Sequence, residues 1–136
     1  ETSRRMLKRT GTLSEIQKSY ADDYGCRVVA TTQREVVSPT RHNFGSVIYS
    51  DGEYYTDAPY MNIDVVDRVG SGDAYVAGVL YGILTSGDIK SALSYGNALS
   101  AVKDTVYGDM SVSSIDEIKN VIAAHNSTGP QDEMVR

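Results

Sequence analysis

Apolar positions recur along the chain in two rhythms, and the alternation between them lays out the elements. Val76, Val79, Leu80, Ile83 and Leu84 fall at i, i+3, i+4, i+7 and i+8, one face of an amphipathic helix. Ile89, Ala92, Leu93, Gly96, Leu99 and Val102 mark the inner face of a second helix reaching about Val106, and Ser86-Gly87-Asp88 between the two supplies a stop and a new N-cap. Thr12-Leu13-Ser14-Glu15 is a capping box that opens an earlier helix, which runs to about Tyr24 and halts at Gly25. Ser114-Ile115-Asp116-Glu117 is another, and its helix turns Ile118, Val121 and Ile122 inward before ending near Ala124.

The strand rhythm fills the gaps. Residues 26–32 form a short apolar run suited to a buried parallel strand. Residues 45–50 and 53–56 flank Asp51-Gly52, a strong hairpin signal, because a type I′ turn needs positive φ at both central positions. Met61, Ile63 and Val65 alternate with Asn62 and Asp64, a strand that delivers the chain to Asp67. Between the first strand and the hairpin, Arg34 is expected on an exposed loop, with a phosphate contact through its charge as the alternative, and His42 at the surface. Helices alternating with strands in this way predict an α/β domain.

Composition narrows the class. A chain of 136 residues with 40% hydrophobic content forms one domain at most and can bury a core. No apolar run approaches the ~20 residues of a membrane span, and no signal peptide opens the chain, so the expectation is a cytoplasmic protein with no membrane partner. A net charge of −5 argues against nucleic acid as a partner. Arg4, Arg5, Lys8 and Arg9 are expected on one solvated helical face. The single cysteine, Cys26, is expected as a buried reduced thiol. Two histidines and one cysteine do not make a typical zinc site, and the Walker pattern is absent.

The candidate chemistry lies where Gly70-Ser71-Gly72-Asp73 meets the helix that follows. The first amides of a helix have no partner inside it, the dipole adds partial positive charge, and glycine lets an oxyanion approach the main chain. Asp73 is the odd residue in such a cradle, since a carboxylate repels an anion unless it handles a proton or a metal. A plain turn with an N-terminal Asp is the alternative.

Read as D-R-V-G-S-G-D-A-Y-V-A-G-V-L, Asp67 to Leu80 resembles the C-terminal signature of the ribokinase-like carbohydrate kinases, D-T-x-G-A-G-D before a small-residue helix. Arg68 stands for the common Thr and Ser71 for the common Ala, a form most similar to the 2-keto-3-deoxygluconate kinases; the likeness extends more weakly over residues 26–121. The resemblance implies the C-terminal half of a three-layer α/β ribokinase-like fold, with a mostly parallel sheet and helices on both faces. Residues 1–125 would form that half and residues 126–136 a mobile tail. It implies that Gly70, Ser71 and Gly72 offer amides to the transferring phosphoryl group and that Asp73 is the general base. Asn97, Ala98 and Ala101 would line the nucleotide pocket, and Asp109 would contact the substrate. Asp67 with the Val69 carbonyl is the candidate site for a monovalent cation.

Implied partners are a sugar-acid substrate, ATP with Mg²⁺, K⁺ as a candidate activator, the N-terminal half of the same polypeptide, and further copies in a homo-oligomer. The implied activity is ATP-dependent phosphorylation of the terminal hydroxyl of 2-keto-3-deoxygluconate. The alternatives are another sugar kinase of the ribokinase or fructokinase type, or a noncatalytic nucleotide-binding module.

Overall fold

The computed structural model describes residues 11–127. The elements run α1 (Leu13–Tyr24), β1 (Val28–Ser38), β2 (Arg41–Ser50), β3 (Glu53–Thr56), β4 (Tyr60–Asp64), α2 (Ser71–Ser86), α3 (Ile89–Asp104) and α4 (Ile115–Ser127). The capping boxes form as expected. Glu15 N donates to Thr12 Oγ1 at 3.2 Å while Thr12 N donates to Glu15 Oε2 at 3.0 Å, and Gly25 closes α1 in the left-handed region. Ser114 and Glu117 exchange the same pair of bonds at the start of α4. Residues 126 and 127 continue that helix, so the proposed tail boundary moves. The rest of the tail and the basic segment at residues 1–10 lie outside the described residues.

The four strands among the described residues form one sheet with β2 at its centre: β1 pairs along one side, and β3 and β4 lie end to end along the other. Every pairing is antiparallel, which corrects the expectation of a mostly parallel sheet. Short turns impose this, since a parallel neighbour needs a crossover of a dozen residues or more. Only Pro39 and Thr40 separate β1 from β2, and Asp51 and Gly52, both at positive φ, separate β2 from β3. β1 also runs through Gln33, Arg34 and Glu35, so Arg34 sits on a strand and not on a loop.

Helices cover both faces, in keeping with a three-layer α/β fold. Phe44, Ile48 and Ile63 pack with Tyr75 and Val79 of α2 and with Ala92, Leu93 and Ala101 of α3. On the opposite face α1 is tied down by Gln17, whose Nε2 donates to the Val29 and Val47 carbonyls, and by Tyr54 Oη donating to the Ser14 carbonyl.

α2 and α3 form an antiparallel hairpin whose main chains touch. A Cβ on Gly78 would stand 2.6 Å from the Tyr95 carbonyl carbon and 2.8 Å from Gly96 Cα. That contact selects the small residues Ala74, Gly78 and Gly82 for the interior and leaves Val76, Leu80 and Leu84 exposed. The expected inner face of α2 is therefore rotated: of its bulky members only Val79 is fully buried. Cys26 is exposed and His42 is buried, each the reverse of its expectation. His42 lies on β2 facing the helices, where its Nδ1 accepts from Arg34.

Candidate active site

The antiparallel hairpin sets the N-terminus of α2 beside the C-terminus of α3, and the site is built on that meeting. Gly70 is the N-cap of α2 at φ +80°, with no side-chain cap. Ser71 N donates to the Arg68 carbonyl at 3.2 Å and Ala74 N to the Gly70 carbonyl at 2.9 Å. The amides of Gly70, Gly72 and Asp73 meet no acceptor among the described residues. The donor set thus differs from the expected Gly70, Ser71 and Gly72: the Ser71 amide is consumed and the Asp73 amide is open.

Ser71 contributes from below. Its hydroxyl points inward, 2.7 Å from Ser100 Oγ, and accepts from Arg34 Nη2 at 2.8 Å. Arg34 Nη1 donates to Asp104 Oδ2 at 3.0 Å, and the guanidinium lies 5.5 Å from the centre of the Phe44 ring. Asp104 is fully buried and its other carboxylate oxygen has no donor among the described residues. A strand, the loop and the end of α3 are thereby pinned beneath the cradle. Arg34 was picked out from sequence only as a loop residue, and Ser100 and Asp104 were not picked out as site residues; Ser100 and Asp104 do lie at i+4 and i+8 from Gly96, a spacing that puts them on its helix face.

Asp67 is the hub of the approaching loop. Its carboxylate accepts from Val69 N at 3.0 Å and from Gly108 N at 3.1 Å, and these amides hold its carboxyl below the ordinary carboxylate range. Its carbonyl accepts from Lys103 Nζ at 2.9 Å, and the same ammonium donates to the Val106 carbonyl at 3.1 Å. Lys103 is fully buried. The Asp67 carbonyl is thus already taken by a cationic side chain. Among the described residues no group of three or more His, Cys, Asp or Glu side chains could hold a metal ion.

Other expected site residues divide into two sets. Asp73 is exposed, with no partner for its carboxylate among the described residues, and Asp109 is exposed on a loop whose main chain lies against Gly70. The structure therefore gathers Asp67, the glycine loop and the Asp109 segment. Asn97, Ala98 and Ala101 are placed elsewhere: all three are buried, and Asn97 Oδ1 accepts from Ser46 Oγ of β2 at 2.6 Å. Among the described residues no helix is long and apolar enough to cross a membrane.

Comparison with known proteins bears on the same stretch. The chain is 31% identical over 119 residues to the 2-dehydro-3-deoxygalactonokinase of Haloferax volcanii, covering 88% of this chain and 35% of that protein. It is 36% identical over 84 residues to the ATP-dependent ribose-1-phosphate kinase of Halopiger xanaduensis, covering 59% of this chain and 24% of that protein. The solved 2-dehydro-3-deoxygluconokinase of Thermotoga maritima matches with a TM-score of 0.83 at 27% identity, over 89% of this chain and 38% of that one. The chain thus spans little more than a third of the length of the Haloferax and Thermotoga proteins. The pfkB family carbohydrate kinase model matches residues 25–116, from the end of α1 to the start of α4 and through the whole cradle, and the chain belongs to that family.

Proposed function

We propose that the protein phosphorylates a 2-keto-3-deoxy sugar acid with ATP, and that 2-keto-3-deoxygluconate is the substrate of first choice. One observation carries the reading: open amides at the positive end of α2, with an unpartnered acid on its first turn. The γ-phosphoryl group of ATP would lie against the Gly72 and Asp73 amides, where unpaired donors and the helix dipole favour negative charge. Asp73 orients the sugar hydroxyl and takes its proton as the new O–P bond forms and the bond to the β-phosphate oxygen breaks, releasing ADP. In a loose transition state the proton leaves late, so orienting the hydroxyl matters more than the strength of the base. Mg²⁺, bound mainly by phosphates and water, would supply neutralisation of the polyphosphate charge.

Substrate choice draws on Asp109 and Arg68. As a carboxylate, Asp109 accepts from a sugar hydroxyl, whereas the exposed Arg68, two residues before Gly70, is suited to the substrate's own carboxylate. The names of the Haloferax and Thermotoga relatives agree with a keto-deoxy acid; that of the Halopiger relative favours a second reading, a phosphorylated pentose. ADP release by the full-length protein decides, with 2-keto-3-deoxygluconate, 2-keto-3-deoxygalactonate, ribose 1-phosphate, ribose and fructose as acceptors. Turnover confined to the last three sinks the first choice. Asp73→Asn is expected to lower turnover by roughly 10²–10⁴-fold while nucleotide binding persists. A noncatalytic module would show no phosphoryl transfer in either form.

A further inference from the structure

Lys103 presents an unexplained expense. A fully buried ammonium is costly unless it is paired and hydrogen-bonded, yet among the described residues it makes no salt bridge within 4 Å and takes two backbone carbonyls instead, those of Asp67 and Val106. Rings of backbone carbonyls are what replaces the water around a bare monovalent cation. The surroundings are arranged for positive charge in two further ways. Lys103 lies in the last turn of α3, at the negative end of that helix, and its charge acts on the Asp67 carboxylate.

The two carbonyls belong to the two segments that shape the cradle. Asp67 begins the loop that reaches Gly70, and Val106 begins the loop that carries Gly108, whose amide binds Asp67 Oδ2, and Asp109, whose main chain abuts Gly70. Val66 N and Asp67 N also donate to the Asp104 carbonyl at 2.8 and 3.2 Å, so the ammonium completes a closed set of bonds between the loops and α3.

We propose that the Lys103 ammonium is a built-in monovalent cation: it stands where a K⁺ ion would join the two loops, and the protein is independent of K⁺ for that reason. Lys103 is a positioning residue, acting on phosphoryl transfer through Asp67 and the loop at 106–109. This role in transfer rests on the kinase reading above; the prediction for ion binding does not.

The test uses the full-length protein, wild type and Lys103→Ala, in KCl, NH₄Cl and choline chloride at equal ionic strength, read by thermal unfolding and by ADP release. Wild type is expected to melt at the same temperature in all three salts and to turn over at the same rate. Lys103→Ala opens space between the same carbonyls. It is expected to melt lower in choline and to regain several degrees in K⁺ or NH₄⁺, with turnover rising at least about tenfold, a factor that corresponds to about 1.4 kcal/mol. A K⁺-specific rise in melting temperature or turnover of the wild type overturns the proposal, and so does a folded Lys103→Ala that neither ion restores. If the variant does not fold, the wild-type comparison decides alone. Absence of sugar phosphorylation in every salt would defeat the kinase reading, while the unfolding measurements would still judge Lys103.

Discussion

Gly70 and Gly72 are two positions apart, and the structure assigns opposite consequences to adding one methyl group at each. At Gly70 the backbone sits at φ +80°, where an L side chain costs roughly 1–2 kcal/mol. The new Cβ would also stand 2.6 Å from the Asp109 carbonyl carbon and 2.9 Å from Asp109 Cα. Comfortable carbon–carbon separations are about 3.5–4.0 Å, so the loop must withdraw by about 1 Å. Forcing groups into occupied space typically adds about 1–3 kcal/mol, and Gly70→Ala should lose about 2–5 kcal/mol in total. A 1 Å displacement of a positioning group can cost about 10²-fold in rate, so kcat/KM should fall by about that factor. At Gly72 a Cβ meets nothing within 4 Å, and φ is not positive. Gly72→Ala should therefore fold as well as wild type or better, by up to about 1 kcal/mol, while its methyl group crowds the open amides and raises KM for ATP. Urea unfolding supplies the stabilities, and steady-state kinetics of the full-length protein supplies the rest. Equal stability losses for the two variants would refute the placement of the Asp109 loop against Gly70.

Two further outcomes follow from burial. Arg34→Met strands the buried Asp104 carboxylate and should cost about 3–5 kcal/mol, whereas Arg34→Met with Asp104→Leu should recover much of that; the double-mutant cycle by urea unfolding measures the coupling, and additive losses would show that the pair does not interact. Burial, with a smaller push from the Asp57 charge, raises the Tyr60 hydroxyl well above its ordinary value, so the contribution it makes to stability is complete below about pH 10 and is lost as pH climbs toward the raised folded value. Tyr60→Phe should flatten the fall in melting temperature between about pH 9 and 11.5; an unchanged slope would mean that this hydroxyl is not shielded.

What could be read from the chain was what its local chemistry decides. The capping boxes at Thr12 and Ser114, the Asp51-Gly52 turn and the Ser86-Gly87-Asp88 break each satisfy backbone groups within a few residues, and each formed. The glycine loop was readable for a related local reason, since the first amides of a helix have no partner inside it. The misses all turn on partners far away in sequence. Arg34 reads as a loop residue until Asp104, 70 positions later, takes its charge. The inner face of α2 reads as Val76, Leu80 and Leu84 because periodicity weighs bulk, whereas the approach of α3 selects for smallness. The bond from Ser46 of β2 to Asn97, 51 positions later, is likewise invisible to local pattern.

The touching backbones of α2 and α3 have a bearing on how such a protein can change over generations. Spacing set by main chain against main chain is indifferent to most substitutions on the outer sides of the two helices, so the interval between the glycine loop and the buried lysine is insulated from sequence drift. Beside it hangs the segment with Tyr107, Met110 and Val112, whose side chains stand in the open. Substitutions in that segment are free to accumulate without altering the spacing of the two helices, and under the proposed sugar-kinase role that is where a change of acceptor would be easiest.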